Sequence, residues 1–511
     1  MIHNCRNIML AAMMGAATVA SAQDTYDANN IMASDLNGTA RFVSMGGALG
    51  ALGGDISVMS TNPAGTALYR KSNAVFTLGG VITRNDGAMG RSGSKASLDQ
   101  AGALFTFNLH NTGSKGLQYV NFGVNYQKSR NFFGNQAFNI QNLNGNLSQT
   151  FQIADLANYC QEVNYWGTLA NMSAPVYNDD GSLYRPGIIE YDQDYKEYYG
   201  IGADKASYER ATFGGSSEVN INLSFNNSDR FFYGLSFGVY DVSYTRESFY
   251  KEIGIDGFSY DFTNWYKTRG QGFDIKFGFI CRPIEESPFR FGVNIHTPTW
   301  YGLTDSNGSS LYLNDSPLET GWVNSNFDYR FRTPWKFGLN LGHTFGNKIA
   351  LGAEWEFQDQ GSATFSNAAG DYNASTRDYF RQVNQINKET LKMQHTLKLG
   401  LEFKPVNNFA IRAGYNYVSS PFKDGAFRTI TPEGPYTETD YTNWKGINRF
   451  TVGLGYFFKG GHIDIAYQYQ KQNGDFYAFD NYDGEGSVFT LRPTSINNDF
   501  SHIMGTLGIR F

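Results

Sequence analysis

The sequence predicts an all-β protein, namely a 14-stranded antiparallel transmembrane β-barrel with an N-terminal plug inside the lumen and long extracellular loops. Three observations predict this fold. Segments in which apolar and polar residues alternate recur along the chain, and short and long connections alternate between these segments. After residue 22, no apolar stretch reaches the ~18 to 20 residues that a membrane-spanning helix requires, so we expect strands to cross the membrane.

The start of the chain has the features of a secretory signal peptide. Arg6 precedes an apolar run over residues 8–20, and Ala20-Ser21-Ala22 supplies the small residues of a cleavage site. We therefore expect the mature chain to begin at Gln23. The predicted domains are the signal peptide at 1–22, the N-terminal plug at 23–72 and the barrel at 73–511.

The composition is aromatic yet polar, with 41 Phe, 33 Tyr and 57 Gly but only 17% charged residues and a mean hydropathy of -0.41. A barrel wall that faces lipid on one side and water on the other has a low mean hydropathy of this kind, because its apolar residues alternate with polar ones. The formal net charge of -6 lacks the basic footprint of nucleic-acid-binding proteins. We therefore expect no nucleic-acid partner.

The clearest strand pattern lies in residues 119–127, where Val120, Phe122 and Val124 share one face. Asn and Gly occupy the positions between them, and a dry core would not tolerate polar residues that recur on the inner face of many strands. Fourteen segments show this period. They cover residues 73–83, 101–111, 117–129, 217–227, 231–245, 271–282, 288–297, 327–345, 348–358, 395–404, 409–418, 446–459, 462–472 and 499–511.

Six short turns and seven long loops connect these segments in alternation. With six short turns and seven long loops, the first strand begins and the last strand ends at the short-turn side of the barrel, as in bacterial outer-membrane barrels. The last strand ends at Phe511, and a terminal aromatic resembles the signal that the barrel-assembly machinery reads; the alternative is a chain that simply stops in a strand. We expect a monomer in the outer membrane of a Gram-negative bacterium, in contact with outer-membrane lipids.

Fourteen strands enclose more space than side chains fill, so the lumen must be a water channel or be plugged. The segment before the first strand is dense in glycine, which permits close backbone approach and positive φ. The sequence therefore predicts a compact, irregular plug against the barrel wall. Its motifs are Gly38-Thr39-Ala40-Arg41, Met45-Gly46-Gly47-Ala48, Gly53-Gly54-Asp55 and Asn62-Pro63-Ala64.

These motifs, in this order after a signal peptide, resemble the FadL/TodX family of outer-membrane hydrocarbon and long-chain fatty acid transporters, and most closely its long Bacteroidetes members. The resemblance is specific over about residues 38–72. It implies a hatch inside the barrel, ligand uptake between extended loops, and sideways exit through a wall defect in the third strand, near Gly123 or just beyond. Asn62-Pro63-Ala64 is then the hatch motif, although a turn that only anchors the plug explains it equally well. The implied hatch or gate residues are Arg41, Gly46, Gly47, Asp55, Asn62, Pro63 and Ala64.

The predicted loop 130–216 is long and rich in aromatic residues. Phe132, Phe133, Tyr165 and Trp166 are candidate positions at which an extracellular hydrophobic ligand lands. The alternative is that such aromatics pack the loops into a rigid cap. Short amphipathic helices are expected around residues 153–157 and 380–386.

The leading functional hypothesis is passive, ligand-gated diffusion of a hydrophobic small molecule, such as a long-chain fatty acid, through the plugged barrel. The alternatives are an accessory barrel that serves a protein partner in secretion or assembly, haem uptake, and a surface enzyme. A transporter should contain a continuous apolar tunnel beneath the loops. An accessory barrel should instead have a filled lumen and a loop surface shaped for protein.

No catalytic residue, metal site or cofactor is predicted. Gly234-Leu-Ser-Phe-Gly238 matches a hydrolase nucleophile pattern, but it alternates within a strand and lacks the strand-to-helix elbow that exposes the serine. The six histidines after residue 22 show no pair at metal-ligand spacing. This also weakens the haem hypothesis, because haem usually requires an axial ligand.

Overall fold

The computed structural model describes residues 24–511, apart from 84–88, 90–91, 110–114, 141–142, 144–146, 165, 256, 319–322, 371–373, 429–436, 483–487 and 491. The predicted signal peptide at residues 1–22 therefore lies outside the described residues. Within the described ranges, no helix has both the length and the apolar character needed to cross a membrane.

Fourteen antiparallel strands close into a barrel, as the sequence predicts. The strands are β1 (Asn73–Thr83), β2 (Ser94–Asn108), β3 (Leu117–Asn131, continued by Gly134–Ile140), β4 (Ala203–Asn227), β5 (Phe231–Gly254), β6 (Ser259–Cys281), β7 (Arg290–His296 and Trp300–Leu313), β8 (Val323–Arg332 and Lys336–Phe345), β9 (Ile349–Asp359 and Thr364–Asn367), β10 (Met393–Val406), β11 (Phe409–Val418), β12 (Tyr441–Phe458), β13 (Gly461–Tyr477) and β14 (Thr494–Asn497 and Phe500–Arg510). Each strand pairs with the next along the chain. β1 and β14 pair from Asn73 opposite Arg510 to Thr83 opposite Phe500, and this pairing closes the barrel.

The two faces of each strand differ in polarity. On β10, Leu397, Leu399 and Leu401 point outward and are 40%, 42% and 41% exposed, whereas Lys398 and Glu402 point inward and are buried. An apolar outer face with a polar inner face suits a wall that separates lipid from a polar interior.

Toward the long loops, both faces of the strands become mixed in polarity. On β5, Tyr244 and Tyr250 point inward and are buried, while the polar Asp241 and Glu247 occupy outward positions. Strands β4 to β6 therefore extend beyond the predicted strand ends, and their loops are correspondingly shorter. The predicted strands are too short because the parts of these strands nearest the long loops lose the apolar outward pattern.

Two prolines interrupt neighbouring strands at the same height. β7 is broken at residues 297–299, which include Pro298, and β8 is broken at residues 333–335, which include Pro334. The prediction of one continuous strand over 327–345 is therefore wrong, because proline has no N–H to donate to the neighbouring strand.

Several helices accompany the barrel. The amphipathic helices expected around 153–157 and 380–386 are confirmed, as α3 and α5 respectively. The helices are α1 (Thr25–Met32), α2 (Ala40–Ser44), α3 (Gln149–Val163), α4 (Thr168–Ser173) and α5 (Ala374–Thr390), and short 3-10 helices cover Ile56–Ser60, Pro63–Leu68 and Gln360–Ser362.

Phe511 lies beside the seam between β1 and β14. Its N–H donates to the carbonyl oxygen of Ser72 at 3.1 Å, and its ring centroid lies 6.2 Å from that of Phe105. The side chain is 62% exposed. The terminal aromatic is thus held at the short-turn end, on the outer surface of the barrel.

Candidate functional site

Residues 24–72, hereafter the N-terminal segment, run through the lumen from the long-loop end to the short-turn end. At the long-loop end, Thr25 Oγ1 donates to Asn387 of α5 at 2.8 Å, and the Tyr26 hydroxyl donates to Asn443 of β12 at 2.8 Å. At the short-turn end, the segment leads directly into β1. Its first residues therefore lie among the long loops, and its last residues lie at the opposite rim.

Buried ion pairs hold α1 in place. Arg246 of β5 contacts Glu438 of the β11–β12 loop and lies 3.7 Å from Asp27, and Arg428 of that loop lies 2.6 Å from Asp24. Burial would raise the pKa of Glu438, but the Arg246 and Arg428 guanidinium groups outweigh this and hold the pKa below its usual value. Arg246 and Arg428 thus tie the start of the N-terminal segment to β5 and to the β11–β12 loop.

α1 packs against an aromatic region of the lumen below the loops. Ala28, Ile31 and Met32 provide the contacting face of the helix. We call this region the aromatic upper lumen, and it comprises Phe132, Tyr244, Tyr266, Tyr301, Tyr329, Phe331, Phe365, Tyr379 and Phe380. An apolar surface therefore exists inside the barrel, and α1 covers it.

The structure separates the candidate landing residues. Phe132 is buried in the aromatic upper lumen, and the half-buried Phe133 next to it lines an adjoining cavity. Trp166 lies in another apolar cluster within the loops, where its ring centroid is 5.7 Å from that of Tyr198. Tyr165 lies outside the described residues.

Beyond α1, the N-terminal segment pairs with an open edge of β3. Pairing between β2 and β3 ends at Gln100 opposite Gln127. Farther toward the long loops, the Asp35 N–H donates to the Ser129 carbonyl at 2.9 Å, and the Asn131 N–H donates to the Asp35 carboxylate at 2.8 Å. This part of the segment therefore takes the place beside β3 that β2 leaves.

Asn37 bridges the gap between the two strands. Its Nδ2 donates to the Lys128 carbonyl on β3 at 3.1 Å and to Asp99 Oδ1 on β2 at 3.2 Å. Its own carbonyl accepts from Gln127 Nε2 at 2.6 Å. The alternation of apolar and polar residues in the sequence does not indicate this contact, because the N-terminal segment contributes only backbone groups and two short polar side chains to it.

Gly123 lies on the paired side of this gap. It is opposite Leu104 on β2 and Asn222 on β4, so both of its neighbouring strands are in register with it. It faces the N-terminal segment, where a Cβ atom would collide with the side chain of Met59. The discontinuity in the wall begins beyond Gln127, farther along the same strand.

Two cavities flank residues 33–35, one of about 200 Å³ toward the short-turn end and one of about 170 Å³ beside the β3 edge. The lining of the first includes Lys276, which contacts both Glu218 and Asp274. In the part of the chain that the structure describes, no three His, Cys, Asp or Glu side chains lie together as a metal site would require. The cavities beneath α1 are therefore small, and their linings combine charged and apolar side chains.

Arg41 and Asp55 fix the lower half of the N-terminal segment. Arg41 Nε donates to Glu402 of β10 at 3.1 Å, and its Nη1 donates to the Gly54 carbonyl at 2.9 Å. Asp55 caps the following 3-10 helix by accepting from the Ser57 N–H at 3.0 Å. One residue thus ties the segment to the wall, and the other stabilises its internal fold.

Gly46 and Gly47 lie where the segment touches the wall. Their φ angles are +63° and +80°, in the left-handed region that favours glycine. A Cβ atom at Gly46 would lie 2.7 Å from the Leu399 carbonyl oxygen and 2.8 Å from that of Tyr415. Glycine is therefore needed here for both the backbone conformation and the close approach.

Asn62-Pro63-Ala64 forms a capped turn against the wall. Asn62 Oδ1 accepts from the Ala64 N–H at 3.2 Å, and Pro63 is the first residue of a 3-10 helix. Gly234 of β5 and Gly278 of β6 face this turn, and a Cβ atom at Gly278 would lie 2.6 Å from the Ala64 nitrogen. Glycines at inward positions of neighbouring strands are the sequence signal that could have shown where this turn contacts the barrel wall.

No protein-family model and no curated protein matches the sequence. Solved structures match over almost the whole chain. A FadL homologue of Pseudomonas aeruginosa is 14% identical with a TM-score of 0.51, and the match covers 94% of this chain and 99% of the homologue. The toluene transporter TodX of P. putida is 13% identical with a TM-score of 0.50, and the match covers 93% and 99% of the two chains. For the monoaromatic hydrocarbon channel CymD, the identity is 10%, the TM-score 0.50 and the coverage 94% and 99%.

These identities are low, so the matches establish architecture and leave the cargo open. The matched structures and this chain align over nearly their full lengths. The resemblance drawn from the sequence motifs is therefore confirmed at the level of the fold, and the chain has the fold of the FadL/TodX outer-membrane hydrocarbon transporters.

Proposed function

We propose that this chain carries hydrophobic small molecules across the outer membrane by passive, ligand-gated diffusion, and that they leave sideways between β2 and β3. The observation that carries the proposal is the contact of residues 35–37 with the open edge of β3. Withdrawal of these residues would leave a gap in the wall between Asp99 and Lys128. No pairing between barrel strands has to break for this gap to open.

The aromatic upper lumen supports a hydrophobic cargo. Its surface is covered by the apolar face of α1, so a ligand that enters between the loops can take the place of this helix. Because residues 33–37 follow α1 directly, displacement of α1 would draw them away from β3. Ligand binding and lateral opening would then be coupled, because the ligand would bind the state in which the segment is detached from β3 more tightly than the state in which it is attached.

The cargo class rests on analogy with proteins of the same fold. A toluene transporter and a monoaromatic hydrocarbon channel have this architecture. We extend this to hydrophobic molecules in general, with long-chain fatty acids as the first to test, since fold alone does not identify a ligand.

In this proposal the lower half of the N-terminal segment is a hatch that blocks straight passage toward the periplasm. Its contacts with the wall and within itself support this role. Gly123 makes room for Met59 of the hatch, so we place the lateral opening beyond Gln127 and not at Gly123 itself. The hatch residues are Arg41, Gly46, Gly47, Asp55, Asn62, Pro63 and Ala64.

A disulfide that locks the segment to β3 tests the opening. The double variant Asp35→Cys, Ser129→Cys joins two residues that share a backbone hydrogen bond. In a background in which Cys160 and Cys281 are replaced by serine, oxidation should abolish uptake of labelled fatty acid by cells, and a reductant should restore it. The matched control Ala103→Cys, Val124→Cys joins β2 and β3 where they are already paired, and it should leave uptake unchanged.

The two parts of the proposal can fail separately. Continued uptake after complete cross-linking of residues 35 and 129 would exclude lateral opening at this edge. Equal uptake by cells with and without the gene would exclude transport of that cargo.

An accessory barrel is the second candidate, and two observations favour it. The cavities beneath α1 are small and partly lined by charged residues. Tyr184 and Tyr195 are 68% and 74% exposed on two hairpins of the loop region, as expected of a surface that contacts protein. The double variant Tyr184→Ala, Tyr195→Ala should reduce co-purification of a protein partner if the barrel is accessory, and should leave uptake unchanged if it is a transporter.

A further inference from the structure

A separate cavity of about 140 Å³ lies at the short-turn end, between the N-terminal segment and the strand ends. It is distinct from the two cavities around residues 33–35, with which it shares no lining residue. Arg41 contributes from the segment, and Lys404, His462 and Arg510 contribute from the ends of β10, β13 and β14. The cavity therefore lies at the mouth that faces the periplasm in the proposed orientation.

The charge around this cavity is predominantly positive. Arg41, Lys404 and Arg510 carry three permanent positive charges, whereas Asp55 is the acidic side chain in the lining. Asp55 already accepts hydrogen bonds from Thr39 Oγ1 at 2.6 Å and from the backbone of its own 3-10 helix. Its negative charge is thus largely engaged within the N-terminal segment. Glu402, which is not part of the lining, pairs with Arg41 at 3.1 Å and with Lys404 at 3.4 Å, so part of the positive charge is neutralised there and the remainder, including that of Arg510, faces the cavity.

An aromatic ring positions two of the cations. Lys404 Nζ lies 5.0 Å from the centroid of the Phe457 ring, and Arg510 Cζ lies 5.8 Å from the same centroid. Contacts of this kind hold a cation over the ring face while leaving its N–H groups available for other partners. Phe457 therefore keeps both charges at the rim of the cavity.

His462 provides an independent observation. The residue is 7% exposed and lines the cavity, and its Nδ1 atom is buried without a hydrogen-bond partner. Its other ring nitrogen, Nε2, lies 3.5 Å from Asp464. A buried polar atom without a partner costs free energy, and such atoms in native proteins often await a ligand or an ion.

We infer that this cavity binds an oxyanion. Guanidinium and ammonium groups give charge-assisted hydrogen bonds to carboxylate and phosphate oxygens, and the His462 ring lies beside these groups in the lining. A free phosphate and the phosphate of a lipid headgroup share this chemistry. Lys404 and Arg510 reach the cavity from the barrel rim, so either source has access. The inference does not depend on which cargo crosses the barrel.

Binding to the full-length barrel, purified in an uncharged detergent, tests this inference. The probes are inorganic phosphate and a short-chain phosphatidylglycerol, each titrated by calorimetry. The variant Lys404→Gln should weaken binding on the order of tenfold, because one charge-assisted bond is lost, while Lys404→Arg should retain it. The matched control Lys348→Gln removes a lysine from the same end of the barrel but outside the cavity, and it should bind like the unaltered protein.

The results separate the two sources and can overturn the site. Binding of both probes would indicate that phosphate suffices, and binding of the lipid alone would indicate a headgroup site. Absence of binding by either probe, or equal weakening in Lys404→Gln and Lys348→Gln, would overturn the inference. Migration of each variant as a heat-modifiable folded barrel on electrophoresis shows that any loss of binding is not due to misfolding.

Discussion

Replacing Asn37 with leucine should loosen the N-terminal segment from β3 while leaving the barrel folded. Leucine has nearly the same shape as asparagine but cannot donate to Lys128 and Asp99. The backbone bond between Asp35 and Ser129 remains possible. Asp99 also keeps its bonds from Ser97 and His502, so no strand pairing in the wall is lost.

The expected size of the effect follows from the two lost hydrogen bonds that join Asn37 to the barrel strands; the third lost bond, from the Gly38 N–H at 2.8 Å, lies within the N-terminal segment. A neutral bond contributes about 1 kcal/mol net and a bond to a carboxylate about 1.5 kcal/mol at the lower end of its range, for a total of about 2.5 kcal/mol. Since about 1.4 kcal/mol is a factor of ten, the population of the detached state should rise roughly 70-fold.

Hydrogen exchange measures this population directly. The amides of Asp35 and Asn131 bond across the contact, so both should exchange roughly 70-fold faster in Asn37→Leu than in the unaltered protein. Asn30→Leu is the control, because Asn30 is half-buried on α1 and precedes the residues that bond to β3. Unchanged exchange at both amides in Asn37→Leu would refute the conclusion that Asn37 closes the gap.

Three further changes probe other contacts. Valine at Gly352 would overlap the Ala48 carbonyl, so Gly352→Val should displace the N-terminal segment and make Arg41 accessible to trypsin; protection equal to that of the unaltered protein would contradict the packing. Because the pKa of Glu438 is lowered, its ion pair with Arg246 should persist from about pH 8 to pH 5 and weaken as pH falls below about 4, which a spin label on the β11–β12 loop would detect as increased mobility; constant mobility at low pH would argue against this ion pair. Phe511→Ala should reduce the heat-modifiable folded fraction in the outer membrane, and an undiminished fraction would show that the terminal ring is dispensable for assembly.

The lipid-facing part of the wall could be predicted because its outward residues must be apolar and its inward residues polar, and this requirement leaves a pattern in the sequence. Leu397, Leu399 and Leu401 face outward and Lys398 faces inward, so a period of two is unavoidable where lipid and a polar lumen lie on opposite sides. Strand number and closure follow from counting such segments. Pro334 itself indicates a break in β8, but the apolar alternation continues on both sides of the proline and makes the two parts look like one strand.

The contacts inside the lumen could not be predicted in the same way. Asp35 and Asn37 meet β3 mainly through backbone groups, which leave no side-chain pattern. The ion pair of Arg246 with Glu438 joins residues far apart in the chain, and neither position is distinguished locally from a solvated charge. The glycine motifs indicated close packing, but the partner surfaces on β10 and β11 follow only from the closed barrel.

The course of the N-terminal segment has a consequence for biogenesis. The residues that precede β1 begin among the long loops, at the rim opposite to the one where Asn73 enters the wall. We therefore expect these residues to be enclosed before β14 pairs with β1, so that this seam is the last part of the wall to form. In the proposed orientation, an epitope inserted just ahead of Asp24 should then be displayed on the cell surface, although the strands that follow it enter the membrane from the periplasm.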